Sequence, residues 1–355
     1  MAKELDELLN QTSAWLRGVG PVSEIVMSSR IRLARNLEKL PFATRSTKTS
    51  QAEVLRLVRE GLEQLNGTVG KMSVFEMGGL DEVDRQFLVE RHLISREHAT
   101  RPDHRAVVIG QGEVISIMVN EEDHLRIQVM QSGLTLHEAW SIIDALDDQL
   151  SNVLPYAYSS DWGYLTCCLT NTGTGMRASV MVHLPALVIT KQINKVLHAI
   201  TKLGLTARGL YGEGTEASGN FFQISNQVAL GRTELELVEN IERILKQVIG
   251  HEQAARESLT TNNRLQLEDR VWRAFGVLRY ARTITSNETL DLLSAVRLGV
   301  DLSIVKPIDR TTVNELLICS QPAHLQKLQG ARLSSQERDV KRAELIRRRL
   351  PAQDA

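Results

Sequence analysis

The 355-residue sequence has few cysteines, no long apolar run and almost no net charge, and each lack excludes a class of protein. Three cysteines, two of them adjacent at Cys167 and Cys168, cannot form a disulfide framework and are typical of a reducing cytoplasm. No apolar stretch reaches the length of a transmembrane helix. The N-terminal residues MAKELDELLNQTSAWL carry acids and lack the unbroken apolar core of a secretory signal.

The net charge and the spacing of possible metal ligands also exclude classes of protein. Lys and Arg total 42 against 43 for Asp and Glu, so the net charge favours no nucleic acid or other polyanion. No Cys/His cluster has the spacing of zinc ligands. These features predict a cytoplasmic protein that needs neither a membrane nor a nucleic acid.

The pattern of apolar residues changes along the chain. Before about residue 230, short runs rich in Val, Ile and Thr alternate with helical stretches, which predicts an antiparallel or mixed sheet packed against helices. Examples of the β-like runs are Ala106–Gly110, Val114–Asn120, Tyr164–Thr170 and Ala178–His183. The helical stretches include Leu136–Leu150 and Ile189–Leu203.

From about Thr233 onward the apolar period is helical. Apolar residues recur at Leu235, Val238, Ile241, Leu245 and Val248. Four pairs have the spacing of a capping box at a helix start: Thr233 with Glu236, Thr285 with Glu288, Thr312 with Glu315, and Ser334 with Glu337. The predicted fold class is therefore α+β followed by an all-α domain, with the boundary near residue 250, inside or just after a long helix.

The first segment that could carry chemistry is Ser28-Ser29-Arg30-Ile31-Arg32-Leu33-Ala34-Arg35. On an extended strand, Arg30 and Arg32 point to the same face. Two guanidinium groups on one face suit a polyphosphate, because each donates paired hydrogen bonds. The alternative is a solvated basic face.

The second segment, Asn120-Glu121-Glu122-Asp123-His124-Leu125-Arg126, follows a strand-like run. A carboxylate there could bind a cationic substrate while Arg126 faces an anion. The alternative is an exposed charged turn.

Two glycine-rich segments complete the set. Asn171-Thr172-Gly173-Thr174-Gly175-Met176-Arg177 could approach a ligand closely, although it lacks the GK[ST] ending of a Walker A loop. The segment from Arg208 to Asn220 has glycines on both sides of Glu213 and suits a lid over a substrate. The alternative for this segment is a long surface hairpin.

Together these segments resemble the phosphagen kinases, the ATP:guanido phosphotransferase family that includes creatine and arginine kinases. The resemblance covers roughly residues 24 to 250 and rests on SSRIRLAR, NEEDHLR, CLTNTGTGMRASV and RGLYGEGTEASGNFFQISN. It implies a phosphagen-kinase-like catalytic domain with an antiparallel sheet flanked by helices, and a reaction that uses ATP and Mg²⁺.

The resemblance also implies roles for individual residues. Glu122 and Glu213 match the carboxylates that hold the acceptor guanidinium and help to remove its proton, with Glu121 adjacent, and Cys168 matches the active-site cysteine. His92 matches a histidine near the nucleotide base and ribose. The implied ATP-binding residues are Ser28, Ser29, Arg30, Ile31, Arg32, His92, Arg126, Arg177, Ala178, Ser179, Val180, Met181, Arg208, Gly209, Leu210, Tyr211, Gly212 and Glu213. No protein ligand for the metal is implied, since ATP phosphates would hold Mg²⁺.

The sequence departs from the family pattern in three ways. Leu169 stands where the family usually has proline, and Gly214 where it usually has histidine. Only 27 residues precede Ser28, whereas the animal enzymes carry an N-terminal helical domain of about a hundred residues at this point. An acceptor side left open in this way suits an arginine presented on a protein.

The C-terminal part resembles the helical domain of the bacterial protein-arginine kinases. The segments GVLRYARTITSNETLDLLSAVRLGVDL and ERDVKRAELIRRRL carry this resemblance. Arg338, Asp339, Arg342 and Ala343 fit the RDxxRA motif, which implies an allosteric phosphoarginine-binding site. The alternative is the solvated basic end of an amphipathic helix.

These observations predict a protein-arginine kinase with an N-terminal helical segment (1–23), a catalytic domain (24–254) and a helical domain (255–355). The resemblance further implies a homodimer, an activator protein, and substrates such as a heat-shock repressor and unfolded proteins that are delivered to a Clp ATPase in the stress response. The alternatives are a kinase of a free guanidino metabolite such as arginine and a phosphoarginine-binding module without activity. A nucleic-acid binder is the most distant reading.

Overall fold

A computed structural model describes residues 2–65, 70–209 and 218–351 of the chain. Its centre is one antiparallel sheet of eight strands in the order β2-β3-β4-β5-β1-β8-β10-β9. Within these ranges, no helix is long and apolar enough to cross a membrane. The strands are β1 Val26–Arg35, β2 Met72–Glu76, β3 Ala106–Gly110, β4 Ile115–Val119, β5 Leu125–Ser132, β6 Tyr158–Ser159, β7 Gly163–Tyr164, β8 Met176–His183, β9 Leu205–Gly209 and β10 Phe221–Asn226, of which β6 and β7 form a separate two-stranded ribbon.

Eight helices belong to the first 262 residues within the described ranges. They are α1 Ala2–Glu7, α2 Lys48–Gln64, α3 Glu82–Glu90, α4 Arg96–Thr100, α5 Leu136–Val153, α6 Pro185–Ile189, α7 Ile193–Lys202 and α8 Glu234–Asn262. The predicted helix Leu136–Leu150 is therefore confirmed as part of α5. The predicted helix Ile189–Leu203 is interrupted, because α6 ends at Ile189 and α7 begins at Ile193.

The sheet has an apolar face and a polar face. Ile31 and Leu33 in β1, and Ala178 and Val180 in β8, are fully buried on the face that α5 and α8 cover. Arg30 lies opposite Ser179, and Arg32 lies opposite Arg177, on the other face. Strand alternation thus separates the core from a row of cations, as the period of β1 predicts.

One predicted strand is wrong. The run Tyr164–Thr170 contributes only Tyr164 to a strand, and the chain then leaves the sheet in a loop that holds Cys167 and Cys168. The Cys167 N–H is donated to Asp123 Oδ1 at 2.7 Å, instead of to a neighbouring strand. The apolar and β-branched residues of this run therefore lie in a loop and not in a strand.

The remaining helices form an all-α region, which confirms the predicted fold class. They are α9 Arg264–Tyr280, α10 Ser286–Asp301, α11 Arg310–Cys319, α12 Pro322–Gln329 and α13 Ser335–Arg349. Complete capping boxes begin α8 at Thr233 and α13 at Ser334, and Thr285 caps α10. The predicted start at Thr312 is wrong, because Asp309 caps α11 and accepts the Thr312 N–H at 2.7 Å.

The helical region packs against the catalytic sheet through α10. Arg297 of α10 is fully buried and donates to the Ser23 carbonyl at 2.8 Å and to His183 Nδ1 at 2.8 Å. The predicted boundary between residues 254 and 255 falls inside α8, which runs without a break from Glu234 to Asn262. The position of the boundary stays a prediction.

Candidate active site

Five arginines predicted from sequence meet on the polar face of the sheet. A cavity of about 320 Å³ opens there, beside the ends of β9 and β10. It is lined by Arg30, Arg32, Val89, His92, Ile94, Ser95, Arg96, Glu97, Arg126, Arg177, Arg208, Gly209, Gln223 and Ser225. Strand pairing accounts for this convergence, because Arg126 lies opposite Ala34 in β1 and Arg208 lies opposite Gln223 in β10.

The cations in this cavity are crowded and incompletely satisfied. Burial and the neighbouring charges of Arg126 and Arg177 lower the pKa of Arg30 to about 10. Burial lowers the pKa of Arg32 well below its usual value, and Arg30 contributes to the shift. Nε of Arg32 and Nε of Arg177 are buried without a hydrogen-bond partner among the described residues. Buried donors without acceptors are costly, so the cavity fits an anionic ligand such as a polyphosphate.

Several other residues predicted to bind the nucleotide are buried within the sheet. Ile31, Ala178 and Val180 are fully buried in the core, so their side chains do not line the cavity. Ser28 and Met181 are buried and pair with each other across β1 and β8. Ser29 is also buried, and its hydroxyl donates to the Gly133 carbonyl at 2.8 Å.

Ser179 and His92 lie close to the cations. The Ser179 hydroxyl accepts from Arg30 Nε at 3.3 Å. Burial, with the charge of Arg30, lowers the pKa of His92 to about 3, so this imidazole is neutral in the cavity wall. Its ring meets Trp15 edge-on, with centroids 5.3 Å apart.

The third arginine of the SSRIRLAR segment is structural. Arg35 is buried on the opposite face of β1 and forms a salt bridge with Asp147 of α5 at 2.6 Å. Its guanidinium carbon lies 3.4 Å from the ring centroid of Tyr164. The glycine-rich segment 171–177 packs against the guanidinium of Arg35. A Cβ on Gly175 would lie 2.5 Å from Arg35 Nη1, and the φ of +66° at Gly175 also favours glycine.

The two adjacent glutamates occupy different environments. Glu121 is buried, accepts from Arg126 Nη1 at 2.8 Å and accepts from the Ser95 hydroxyl at 2.6 Å. Burial alone would raise the pKa of Glu121, but Arg126 and these hydrogen bonds bring it to about 2. Glu122 is exposed, and partial desolvation with the charge of Asp123 raises its pKa.

Asp123 connects the acidic loop to the cysteine loop. Its Oδ1 accepts from the Cys167 N–H at 2.7 Å and from Asn36 Nδ2 at 2.6 Å. Both Cys168 and Glu122 act electrostatically on Arg177, which borders the cavity. Burial and Asp123 raise the pKa of Cys167 to about 11, so that cysteine is a poor nucleophile. Cys168 Sγ instead contacts Thr170 Oγ1 at 3.0 Å.

Some predictions fall outside the residues that the structure describes. Leu210, Tyr211, Gly212 and Glu213, together with Gly214, all lie in the segment 210–217. Gly209, the last described residue before that segment, lines the cavity.

The cavity also contains residues that the sequence analysis missed. Ser95 holds Glu121, while Gln223 and Ser225 project from β10 between the arginines. Alternation along β10, next to the glycine-rich segment, is the signal that could have identified Gln223 and Ser225.

The RDxxRA residues lie on α13, with unequal exposure. Arg342 is 1% exposed and donates to the Ser320 carbonyl and the Ile284 carbonyl, each at 2.8 Å, and to Asp339 Oδ1 at 2.5 Å. Arg338 is partly exposed and donates to the Leu333 carbonyl at 3.1 Å. Ala343 is buried.

Two known families together match most of the chain from residue 53 onward. Residues 53–255 match the family described as ATP:guanido phosphotransferase, C-terminal catalytic domain, and residues 264–355 match the one described as Protein-arginine kinase McsB C-terminal domain. A protein-arginine kinase of Desulforamulus reducens is 51% identical over 96% of both chains. One of Halothermothrix orenii is 49% identical over 98% of this chain and 99% of its own.

Solved structures give the same family. Lombricine kinase matches with a TM-score of 0.57 and 26% identity, over 71% of this chain and 77% of its own. The duplicated taurocyamine kinase from Schistosoma mansoni, with bound transition state analog components, matches with a TM-score of 0.60 and 29% identity, over 66% of this chain. This chain spans about a third (34%) of that duplicated enzyme. The chain therefore belongs to the ATP:guanido phosphotransferase family, within its protein-arginine kinase branch.

Proposed function

We propose that this protein transfers the γ-phosphoryl group of ATP to the guanidino group of arginine side chains in proteins. The observation that carries the proposal is the cavity of five arginines, with buried Nε donors of Arg32 and Arg177 that have no described acceptor. Relatives named as protein-arginine kinases match 96% or more of the chain at about half identity, which supports a protein as the acceptor.

The arginines would bind and align the phosphates. Arg30, Arg32 and Arg177 come from adjacent strands of a rigid sheet, so they hold their charges in place before the substrate arrives. Phosphoryl transfer depends on such alignment and on charge neutralisation more than on covalent catalysis. Burial lowers the pKa of Arg30 most, and repulsion from Arg126 and Arg177 adds to the shift; bound phosphate would relieve that repulsion.

Magnesium is proposed to enter with the nucleotide. Within the ranges 2–65, 70–209 and 218–351, no group of three His, Cys, Asp or Glu side chains could hold a metal ion. Phosphate oxygens are the ligands that Mg²⁺ prefers in nucleotide sites. When bound there, Mg²⁺ would neutralise charge on the transferring group.

The acceptor needs a base, because a guanidinium is protonated at neutral pH and attacks poorly. We assign this role to Glu122, whose pKa is raised and whose charge acts on Arg177 at the cavity edge. Glu121 would orient Arg126 toward the phosphates, since the two form a salt bridge. Glu213 and Cys168 are proposed as further contacts to the acceptor cation.

The wider biological role is proposed from the family alone. It includes a cytoplasmic homodimer, an activator protein, and substrates such as a heat-shock repressor or unfolded proteins that are passed to a Clp ATPase. Arg338 and Asp339 are the proposed phosphoarginine contacts. Arg342 and Ala343 would support them from beneath, because both are buried in α13.

The test is a transfer assay with magnesium and ATP. An unstructured arginine-rich protein, free arginine and creatine are offered in parallel, and the products are read by mass spectrometry without acid, which would cleave an N–P bond. We expect phosphate on protein arginine only. Phosphate on a free guanidino compound alone would overturn the proposal in favour of a metabolite kinase.

A further inference from the structure

A second cavity, of about 690 Å³, lies beside the two-stranded ribbon of β6 and β7. Its lining combines aromatic rings with carboxylates. Tyr158 and Trp162 are 62% and 57% exposed, so their rings are open to a partner. Asp161 and Glu234 also line the cavity, and neither has an ion-pair partner in the part of the chain that the structure describes. Aromatic faces beside unpaired acids fit a cationic ligand.

The backbone beneath this cavity is rigidly packed. A Cβ on Gly163 would collide with the Gly173 carbonyl oxygen, and a Cβ on Gly173 would lie 2.9 Å from the Cα of Leu230. The Tyr164 N–H is donated to the Gly173 carbonyl at 2.8 Å. The ribbon, the glycine-rich segment 171–177 and the chain before α8 are therefore in direct backbone contact. The cavity is preformed, so a ligand need not order it first.

The protein's own Arg35 shows which cation this combination of groups can hold. Its guanidinium carbon lies 3.4 Å from the Tyr164 ring centroid, and its Nε donates to Asp147 Oδ2 at 2.9 Å. Tyr158 meets Tyr164 edge-on, with centroids 5.3 Å apart, and extends the aromatic surface along the cavity. A ring and a carboxylate thus bind a buried guanidinium at the ribbon, and the same two kinds of group are exposed in the cavity.

Negative charge around the cavity is incompletely balanced. Partial desolvation, then repulsion from Asp148 and Glu234, raises the pKa of Asp144 on the neighbouring helix α5. Arg232 is the only cation among the described residues that line the cavity, and it is exposed. A bound guanidinium would be attracted by the surrounding acids, with Arg232 as its only competitor in the lining.

The cavity lies close along the chain to the candidate active site. Four positions separate Tyr164 from Cys168, and four residues span at most about 14 Å. Four positions also separate Gly173 from Arg177, which lines the nucleotide cavity. A protein segment whose arginine reacts beside Cys168 could therefore place a second arginine, several residues away, in the cavity beside the ribbon.

We propose that this cavity is a docking site for a second, non-reacting arginine of the protein substrate, which the rings of Tyr158 and Trp162 and the carboxylates of Asp161 and Glu234 would hold. The proposal rests on the proposed function, because it concerns the substrate of the same reaction. Such a site favours acceptor segments with two arginines, since docking of one raises the local concentration of the other at the active site.

The first experiment measures KM and kcat of the full chain for unstructured peptides. One peptide carries two arginines six residues apart. In two others, one or the other arginine is replaced by citrulline, which has nearly the same shape without the charge. We expect the wild type to have a roughly tenfold lower KM for the two-arginine peptide, beyond the about twofold advantage of two acceptor groups, at similar kcat. Trp162→Ala and the double variant Asp161→Asn/Glu234→Gln should reduce the difference to about twofold.

Three further variants sharpen this comparison. Trp162→Phe keeps an aromatic face and should retain most of the KM difference, whereas Arg232→Ala removes the competing cation and should enlarge it. Asp269→Asn is the matched control, because this exposed acid of α9 pairs only with Arg273 among the described residues. Equal KM differences in the wild type, Trp162→Ala and the double acid variant would overturn the docking site, while transfer to protein arginine would still support the proposed function.

The second experiment needs no activity. The wild type and Trp162→Phe are titrated with the two-arginine peptide without ATP, and the difference in tryptophan emission reports contact at Trp162. We expect a saturable change that weakens at high salt and is absent with a peptide that carries citrulline at both positions. No difference between the two proteins, or an equal response to the citrulline peptide, would overturn the proposal.

The same titration separates the remaining outcomes. Emission from Trp162 that changes when the free protein is diluted would show that a second copy of the chain covers the cavity, and the docking site would be wrong. If the wild type transfers no phosphate to protein arginine, the proposed function fails, while the titration still decides whether the cavity binds arginine.

Discussion

At the scale of single residues, two adjacent glutamates differ in the charge that each is suited to carry. Glu121 is held ionised by Arg126 and Ser95, with its pKa brought to about 2 despite burial. The pKa of Glu122 is raised by partial desolvation and by Asp123. Environments that push two carboxyl pKa values apart separate a fixed countercharge from a group that can accept a proton.

We predict that Glu122→Gln lowers kcat by about 100-fold or more while the Kd for ATP stays the same, because a general base contributes that much. The base must be ionised, and its pKa is raised, so the wild-type rate should fall with decreasing pH before an ordinary glutamate would be protonated. Steady-state kinetics from pH 5.5 to 8.5 and calorimetry with ATP measure both effects.

The control for this prediction is Glu63→Gln, which changes an exposed acid near the end of α2. It should leave the rate and its pH profile unchanged. Normal turnover of Glu122→Gln would rule out Glu122 as the base. A large loss of ATP affinity would instead make it part of the nucleotide site.

At the scale of elements, α13 shows why spacing alone does not give a residue its role. Arg338 and Arg342 are four positions apart, which puts them on one helix face. Yet the buried Arg342 donates to the Ser320 and Ile284 carbonyls, whereas Arg338 is partly exposed. Arg342 therefore joins α13 to the end of α11 and the start of α10.

We predict that replacing Arg342 affects the stability of the fold, whereas replacing Arg338 affects the binding of phosphoarginine. Arg342→Ala should lower the free energy of unfolding by about 2–4 kcal/mol, because it leaves two buried carbonyls without donors. Arg338→Ala should change it by less than about 0.5 kcal/mol, yet weaken the binding of phosphoarginine. Urea unfolding and calorimetry with phosphoarginine measure these quantities.

Arg348→Ala is the control for both variants, because Arg348 is exposed on the same helix and pairs only with Glu344 among the described residues. It should affect neither measurement. Equal phosphoarginine affinity in Arg338→Ala and the control would contradict a binding site at Arg338. Full stability of Arg342→Ala would contradict its structural role.

Elements were predictable from sequence where the signal is local. The capping boxes at Thr233 and Ser334 mark real helix starts, because both partners lie within one turn. The prediction of a helix start at Thr312, paired with Glu315, was wrong because Asp309 caps the same helix three residues earlier. The prediction of a strand at Tyr164–Thr170 was wrong because Asp123, distant in sequence, accepts the hydrogen bond from the Cys167 N–H.

In the candidate site, too, features with a local sequence signal were predictable and features that depend on distant contacts were not. The shared face of Arg30 and Arg32 follows from strand alternation, which the sequence shows directly. The burial of Arg35 against Asp147 and the pairing of Glu121 with Arg126 depend on contacts made only in the fold.

At the scale of the whole molecule, buried polar groups join the helical region to the sheet. Arg297 donates to Asn314 Oδ1 at 3.0 Å and to His183 Nδ1 at 2.8 Å. Asp301 of the same helix accepts from Arg310 Nε at 2.7 Å, and Arg310 Nη1 donates to the Ser23 hydroxyl, just before β1, at 2.8 Å. Removing any one partner leaves a buried polar group unsatisfied, so the two regions should unfold together.

The state of His183 in this network follows from its neighbours. Arg297 has no acceptor atom, so His183 Nδ1 must accept and Nε2 must carry the proton that is donated to Ser294 Oγ. The imidazole is therefore neutral. Burial and the charge of Arg297 lower the pKa of His183 well below its usual value.

This neutral histidine predicts an acid-sensitive connection between the regions. Since the pKa of His183 is lowered by folding, its contribution to stability is complete above the unfolded pKa of about 6.5 and is lost as the pH falls below that value. At pH 5.5 the loss from this one group should be about 1.4 kcal/mol relative to pH 7.5. Urea unfolding at both pH values measures it.

The matched variants are His183→Gln, which keeps a donor and an acceptor but does not titrate, and His251→Gln, which changes an exposed histidine. His183→Gln should start less stable at pH 7.5 and lose about 1.4 kcal/mol less than the wild type on acidification. His251→Gln should follow the wild type. Parallel losses in wild type and His183→Gln would show that acid acts on the molecule elsewhere, and that the connection between sheet and helices does not depend on a neutral His183.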